Sequence, residues 1–118
     1  MTTDFPDGRR VALDDVELVV HEACPQRPRE LPLVLLHGFP EIAYSWRHQV
    51  PALVEAGWHV LAPDQRGYAE SGRPEAVEAY DIEHLTGDVE ALLDRFGYDR
   101  GIIVGHDWGA IVTWNMAL

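Results

Sequence analysis

Short apolar runs recur along the chain, separated by stretches with a different periodicity. Residues 33–36 are continuously apolar, and residues 59–62 and 101–105 are nearly so. Such runs are typical of parallel strands that are buried on both faces of a sheet. At the start, β-prone segments on either side of Asp14 and Asp15 predict a hairpin.

Residues 82–96 show the clearest helical periodicity. Asp81 is suited to cap the beginning of this helix, and Gly97 to end it. Asp88 belongs to the polar residues that we expect largely on the opposite face. The apolar face comprises Ile82, Leu85, Val89, Leu92, Leu93 and Phe96.

A short turn and two further helices complete the pattern. We expect Ser45 to cap a short turn that begins at Trp46, and a helix to start at Pro51 and end before Gly57. A third helix follows from Trp108. Strands alternate with helices, which predicts an α/β fold with a mostly parallel sheet and flanking helices.

The last helix is apolar on nearly all sides, and a helix of this kind is expected to have neighbours. We also expect the strand at residues 101–105 to lie at an open edge of the sheet. From both features we expect residues 1–118 to be the N-terminal portion of a single core domain, able to form a homo-oligomer through that edge.

Composition excludes several classes of function. The chain has 118 residues, a formal net charge of −11 and no lysine, so neither nucleic acid nor an anionic membrane is an expected partner. Cys24 is the single cysteine, which excludes an intrachain disulfide and a cysteine metal site. The first residues lack the pattern of a signal peptide, and the expected location is the cytoplasm.

Asp107 lies between a predicted strand and a predicted helix, flanked at two residues' distance by Gly105 and Gly109. This arrangement is typical of a nucleophile elbow, a turn so tight that only small residues fit on either side of the nucleophile. The elbow would present Asp107 at the carboxyl end of the sheet, where ligands bind in open α/β folds.

A carboxylate nucleophile suits a particular chemistry. It is already ionised at neutral pH, and it can displace a leaving group from a saturated carbon, as in an epoxide or an alkyl halide. The alternative for Asp107 is a simple cap of the following helix. A dinucleotide-binding loop is disfavoured, because Gly101, Gly105 and Gly109 are spaced four apart.

A second motif follows the strand at residues 33–36. In this layout the backbone N–H groups of Phe39 and Trp108 would form an oxyanion hole on a carboxyl oxygen of Asp107. We expect His37, Gly38 and Pro40 to support that loop, and Pro40 is a candidate for a cis peptide bond. The alternative is an ordinary turn at the end of a strand.

A third polar segment ends the strand at residues 59–62. We expect Asp64 and Arg66 to support the structure as a partly buried pair, with solvated charges as the alternative. His106 should point away from Asp107, because side chains alternate along a strand. For all six histidines we expect structural or surface roles rather than catalysis.

Together these motifs resemble the α/β-hydrolase superfamily and, within it, the epoxide hydrolases. Ala69 departs from the family pattern, which has glycine there, and the larger side chain is expected to shift that loop slightly. The matching stretches lie within residues 33–118 and comprise His37-Gly38-Phe39-Pro40-Glu41, Tyr44-Ser45-Trp46-Arg47-His48-Gln49, Pro63-Asp64-Gln65-Arg66-Gly67-Tyr68 and Val104-Gly105-His106-Asp107-Trp108-Gly109-Ala110.

The resemblance implies a hydrolase that needs no cofactor and no metal. It would open a small apolar epoxide to a vicinal diol with water, through an ester on Asp107. It also implies a water-activating histidine with an acid partner, and two tyrosines on a lid. All four follow the elbow in this family, so none is assigned here.

Two other functions stay open at this point. Haloalkane and haloacid dehalogenases use the same aspartate on a halide substrate, but haloalkane dehalogenases usually carry asparagine where this chain has Phe39. Fluoroacetate dehalogenases tend to have arginine where this chain has Trp108. A truncated, non-catalytic interaction domain is the alternative from another class.

Overall fold

The computed structural model describes residues 5–117, which form one sheet with helices on both faces. The elements are β1 (Gly8–Ala12), β2 (Glu17–Ala23), β3 (Leu33–Leu36), α1 (Val50–Glu55), β4 (Val60–Asp64), α2 (Ile82–Arg95), β5 (Ile102–Gly105) and α3 (Trp108–Ala117). Short 3₁₀ helices cover Ala43–Trp46 and Val77–Tyr80.

The strand order across the sheet is β1-β2-β4-β3-β5. Strand β2 is antiparallel to both of its neighbours, β1 and β4, whereas β3 is parallel to β4 and β5. All strands except β2 therefore run in one direction. The predicted hairpin, the α/β class and the mostly parallel sheet are confirmed.

The sheet separates two hydrophobic cores, and alternation along β3 shows how one strand serves both. Val34 and Leu36 face α2 and α3, together with Leu92 and Val112, while Leu35 faces the other side with Val50 of α1. All six are at most 3% exposed. The apolar run of β3 is thus explained by burial on two faces.

Helix α2 begins and ends where the sequence predicts. The Asp81 carboxylate accepts a hydrogen bond from the backbone N–H of His84 at 2.9 Å, which caps the first turn. Gly97 follows the helix with φ +83°, a conformation in which glycine is at ease. One expectation is wrong: Asp88 is not on the solvent face but only 8% exposed.

The burial of Asp88 is explained by Arg66, which is 1% exposed. The Arg66 guanidinium donates to both carboxylate oxygens of Asp88, at 2.8 and 2.6 Å, and to Asp15 at 3.0 Å. The expected pair between Asp64 and Arg66 is therefore wrong, although both residues are buried and support the structure. Arg66 instead joins the β1–β2 turn to α2.

Smaller corrections concern the boundaries of short elements. The turn expected to start at Trp46 is a 3₁₀ helix over Ala43–Trp46, and Ile42 rather than Ser45 precedes it. Strand β4 extends to Asp64, two residues past the predicted end. The 3₁₀ helix Val77–Tyr80 was not predicted.

Strand β5 lies at the edge of the sheet, as expected, and its side chains alternate in exposure. Ile102 and Val104 are each 37% exposed, and Trp114 on α3 is 73% exposed. Self-association through this edge stays a prediction. Among residues 5–117, no helix combines the length and the apolar character needed to cross a membrane.

Ala69 lies in the loop after β4 with φ +49°, in the left-handed region. A β-carbon makes this conformation costly, by about 1 kcal/mol relative to the right-handed region. The glycine that the family pattern has at this position would relieve that strain. The departure at Ala69 therefore has a conformational cost.

Candidate active site

Asp107 occupies the turn between β5 and α3 with φ +59°, one of two non-glycine residues with positive φ among residues 5–117. The tight packing around this turn leaves no room for a side chain at Gly105 or Gly109. A β-carbon at Gly105 would overlap the carbonyl of Gly109, and one at Gly109 would overlap the carbonyl of Leu36. The turn thus has the geometry of an elbow, with a strained residue held by close backbone packing.

The loop after β3 meets this elbow. The backbone N–H of Phe39 donates to Oδ2 of Asp107 at 2.9 Å. Gly38 allows the approach, because a β-carbon there would overlap the Asp107 side chain. The Phe39–Pro40 peptide bond is cis. The structure therefore brings Gly38 and Phe39 against Asp107, although Phe39 and Asp107 are 68 residues apart in the sequence.

The Asp107 carboxylate is exposed and favoured in its ionised form. Hydrogen bonding from the Phe39 N–H, and then from the Trp108 N–H, holds the pKa of Asp107 below its ordinary value. A lowered pKa means that this carboxylate stays charged as the pH falls, and is protonated only below the range usual for aspartate. A negative charge at neutral pH follows.

His37 is fully buried at the end of β3, and its ring has a defined role. Nδ1 lies 3.0 Å from the carbonyl oxygen of Gly38, and Nε2 lies 3.0 Å from the backbone N–H of Gln65. The first contact requires a proton on Nδ1 and the second a lone pair on Nε2, so the ring is neutral. Burial lowers the pKa of His37 in agreement with this.

Asp64, at the end of β4, contacts the same loop from its other side. One carboxylate oxygen accepts from the backbone N–H of Ala43 at 2.8 Å, and the other lies 3.3 Å from Nε2 of His21. Nδ1 of His21 faces the carbonyl oxygen of Pro6 at 2.7 Å. Burial opposes the charged ring, yet the hydrogen bonds to Asp64 and Pro6 prevail and raise the pKa of His21.

The other histidines take no part in this arrangement. His59 is buried between Tyr98 and Glu22, at 2.6 and 2.7 Å. His48 is exposed, His84 is half-buried at the beginning of α2, and the exposed His106 turns its Nδ1 towards Glu41 at 3.4 Å. Within the described part of the chain, no histidine forms a hydrogen bond with the Asp107 carboxylate. These positions agree with the structural or surface roles that we predicted.

A cavity of about 180 Å³ opens beside the elbow. Trp108, which is 50% exposed, forms one wall. Tyr68 and Tyr80 form another, and Leu85 and Val112 contribute an apolar base. Burial, followed by the charge of Asp107, raises the pKa of Tyr68, so this phenol is neutral near the carboxylate. The space is suited to a small apolar group.

Three residues near the site were not singled out by the sequence as part of it: Asp64, Gln65 and Tyr68. Gln65 contacts His37 twice, and the ring of Tyr68 lies edge-on to the His37 ring, 4.6 Å between centroids. One available signal was position, because all three lie at the end of β4 or just after it, and β3 and β4 are parallel neighbours. Their particular contacts needed the folded structure.

Comparison with known proteins places the chain in a family. Residues 32–118 match the family model described as the alpha/beta hydrolase fold. The match covers most of the chain and includes β3, β4, β5 and the elbow. The chain therefore belongs to the α/β-hydrolase fold family.

Similar proteins are named as epoxide hydrolases. The chain is 58% identical to "Epoxide hydrolase A" of Mycobacterium tuberculosis over 113 residues, which is 96% of this chain and 34% of that protein. A crystal structure of Epoxide Hydrolase A from Mycobacterium thermoresistibile aligns with a TM-score of 0.88 and 58% identity, over 96% of this chain and 35% of that one.

A solved structure with a lower sequence identity also aligns over nearly the whole chain. The epoxide hydrolase VrEH1 from Vigna radiata aligns with a TM-score of 0.85 and 42% identity, over 95% of this chain and 34% of that one. This chain spans about a third of the length of these relatives. The similarity thus covers nearly all of this chain, but only part of each relative.

Proposed function

We propose that this chain carries the nucleophile and the oxyanion hole of an epoxide hydrolase. The observation that carries the proposal is the 2.9 Å hydrogen bond from the Phe39 N–H to Oδ2 of an elbow aspartate. An oxyanion donor is expected 2.7–3.1 Å from the oxygen that becomes charged, roughly as found here. A plain helix cap would not need a second loop to approach it.

The first step uses the carboxylate oxygen that Phe39 leaves free. Oδ1 of Asp107 attacks an epoxide carbon, the ring C–O bond breaks, and an alkyl ester forms on Asp107. The ring oxygen then takes a proton from an acid. No general base is required, because hydrogen bonding from Phe39 and Trp108 keeps the pKa of Asp107 low and its carboxylate ionised.

The second step uses Oδ2. Water attacks the ester carbon Cγ, and the negative charge develops on the oxygen that Phe39 already contacts. The N–H of Trp108, at the beginning of α3, supports the same charge. When the tetrahedral intermediate collapses, the bond between Cγ and Oδ1 breaks. Oδ1 leaves with the alkyl group and takes up a proton, and a vicinal diol is released.

Substrate choice is supported by two observations. Phe39 offers an apolar side chain, 63% exposed, where haloalkane dehalogenases usually have asparagine. The relatives named above are called epoxide hydrolases, at identities of 42% to 58%. An epoxide with a small apolar substituent also suits the cavity beside Trp108.

We further infer that these residues form the part of a hydrolase core that precedes the lid. The resemblance implies a water-activating histidine, its acid partner and two lid tyrosines, and we assign none of them within residues 5–117. Nucleophile and oxyanion donors account for formation of the ester and for the charge that develops during its hydrolysis. Activation of the water is a task for other groups.

Matched substrates test the reaction class. We expect the protein that carries this chain to convert a terminal epoxide to its diol, and to release no chloride from a terminal chloride with the same carbon skeleton. Diol is measured by chromatography and chloride by an ion-selective electrode, with Asp107→Ala as the control for both. Chloride release that depends on Asp107, with no diol formed, would assign a dehalogenase instead.

A further inference from the structure

Residues 37–42 form a loop between β3 and the 3₁₀ helix Ala43–Trp46, and two consecutive residues, Asp64 and Gln65, form hydrogen bonds at its two ends. We propose that Asp64 and Gln65 are positioning residues, which fix the Phe39 N–H against Asp107 through hydrogen bonds to the two ends of this loop. The inference rests on the proposed function, since it assigns a purpose to the position of that N–H. Neither residue touches the reacting atoms.

Gln65 holds the beginning of the loop. Its backbone N–H donates to Nε2 of His37 at 3.0 Å, and its side-chain Nε2 donates to the carbonyl oxygen of His37 at 2.8 Å. His37 in turn contacts the Gly38 carbonyl with Nδ1. Three hydrogen bonds therefore fix the backbone immediately before Phe39.

Asp64 holds the end of the loop. Its Oδ1 accepts from the N–H of Ala43 at 2.8 Å, and Ala43 is the first residue of the 3₁₀ helix that follows. The residue is itself held in place, since Ser71 donates to the Asp64 carbonyl at 2.6 Å and accepts from the Val19 N–H at 2.8 Å. A fixed carboxylate therefore fixes Ala43.

Burial separates this arrangement from ordinary surface hydrogen bonds. Asp64 is 3% exposed and Gln65 is 8% exposed, so a lost bond would not be replaced freely by water. Between the two contacts lie Gly38, Phe39 and the Phe39–Pro40 bond, and this segment meets the elbow through Gly38 and the Phe39 N–H. A displacement of about 1 Å at such a point is enough to cost on the order of 100-fold in rate.

The test uses the titration of Asp107 as a gauge of the Phe39 N–H. Gln65→Met removes the side-chain donor but keeps the length, and Asp64→Ala removes the acceptor for Ala43. We expect both variants to raise the proton affinity of Asp107 about tenfold, measured by carbon NMR of its carboxyl, because the Phe39 contact is weakened. Asp64→Asn retains an acceptor oxygen and should titrate like the parent.

Activity supplies the second readout, on the protein that carries this chain. Gln65→Met should lower kcat by about tenfold or more with little change in KM, because the N–H acts chiefly in the transition state. Gln26→Leu, at an exposed glutamine between β2 and β3, is the matched control. If Asp64→Ala fails to fold, Gln65→Met decides the question alone.

A folded Gln65→Met variant with the parent's Asp107 titration and the parent's kcat would overturn the proposal. That result is distinguishable from failure of the proposed function. If Asp107 were not a nucleophile, its own replacement would leave turnover intact, whereas the titration of its carboxyl would still report whether Gln65 and Asp64 position Phe39.

Discussion

Asp107→Asn is expected to lower diol formation by about 10⁴-fold or more, the scale seen when a covalent nucleophile is removed. The amide keeps the shape of the side chain, and its oxygen still accepts from the Phe39 N–H. It lacks the negative charge, however, and an amide is a poor nucleophile towards carbon. The rate is measured with a terminal epoxide on the protein that carries this chain.

The matched control is Asp94→Asn, at an exposed position on α2. Both variants lose one negative charge, and both should have the parent's urea concentration at the midpoint of unfolding. Only Asp107→Asn should lose turnover. An Asp107→Asn variant as active as Asp94→Asn would remove the aspartate from the reaction.

Gly109→Ala is expected to have the largest effect on stability. A methyl group there would overlap the carbonyl of Leu36 and crowd that of His37, both of them backbone groups that cannot move aside cheaply. Overpacking of this kind costs about 3 kcal/mol, and more where the backbone resists. For a domain of this size that is a large part of the free energy of unfolding.

A second glycine provides the comparison. Gly87 lies within α2, and a β-carbon there would meet nothing within 4 Å. Gly87→Ala should therefore stabilise the protein by about 0.5–1 kcal/mol, because alanine loses less conformational freedom in a helix. Urea titrations of both variants measure the difference. Equal unfolding midpoints for Gly109→Ala and the parent would show that the elbow is not tightly packed.

Much of the fold could be predicted because its signals are local. The apolar run of β3, the cap at Asp81 and the glycine after α2 each depend on a few neighbouring residues, and each was found where expected. The 3₁₀ helices Ala43–Trp46 and Val77–Tyr80 were missed or misplaced. Elements of four residues are too short to show a periodicity.

Burial of charged residues could not be predicted in the same way. Arg66 and Asp15 are 51 positions apart, and Arg66 meets Asp88 only after α2 packs on the sheet. In the sequence, Asp88 has the polar character of a solvent-facing residue. The partner of a buried charge depends on the tertiary arrangement, so the pairing of Asp64 with Arg66 was predicted wrongly.

In the candidate site, too, the residues in local motifs could be predicted, whereas the tertiary contacts could not. Asp107 and Phe39 belong to compact motifs at the ends of two strands, and the structure joins them at 2.9 Å. Gln65 also lies in a matching stretch after a strand, but a glutamine in a loop has the same appearance whether it is solvated or buried. Its contacts with His37 depend on β3 and β4 being parallel neighbours.

Oxygen from labelled water provides the most direct test of the ester on Asp107. In a single turnover in ¹⁸O-water, we expect the label in the carboxylate of Asp107 and none in the diol, because water attacks Cγ and the diol takes an old carboxylate oxygen. Later turnovers then carry label into the diol. Mass spectrometry of the peptide that contains Asp107 measures it. Label in the first diol, with an unlabelled Asp107, would contradict the covalent mechanism.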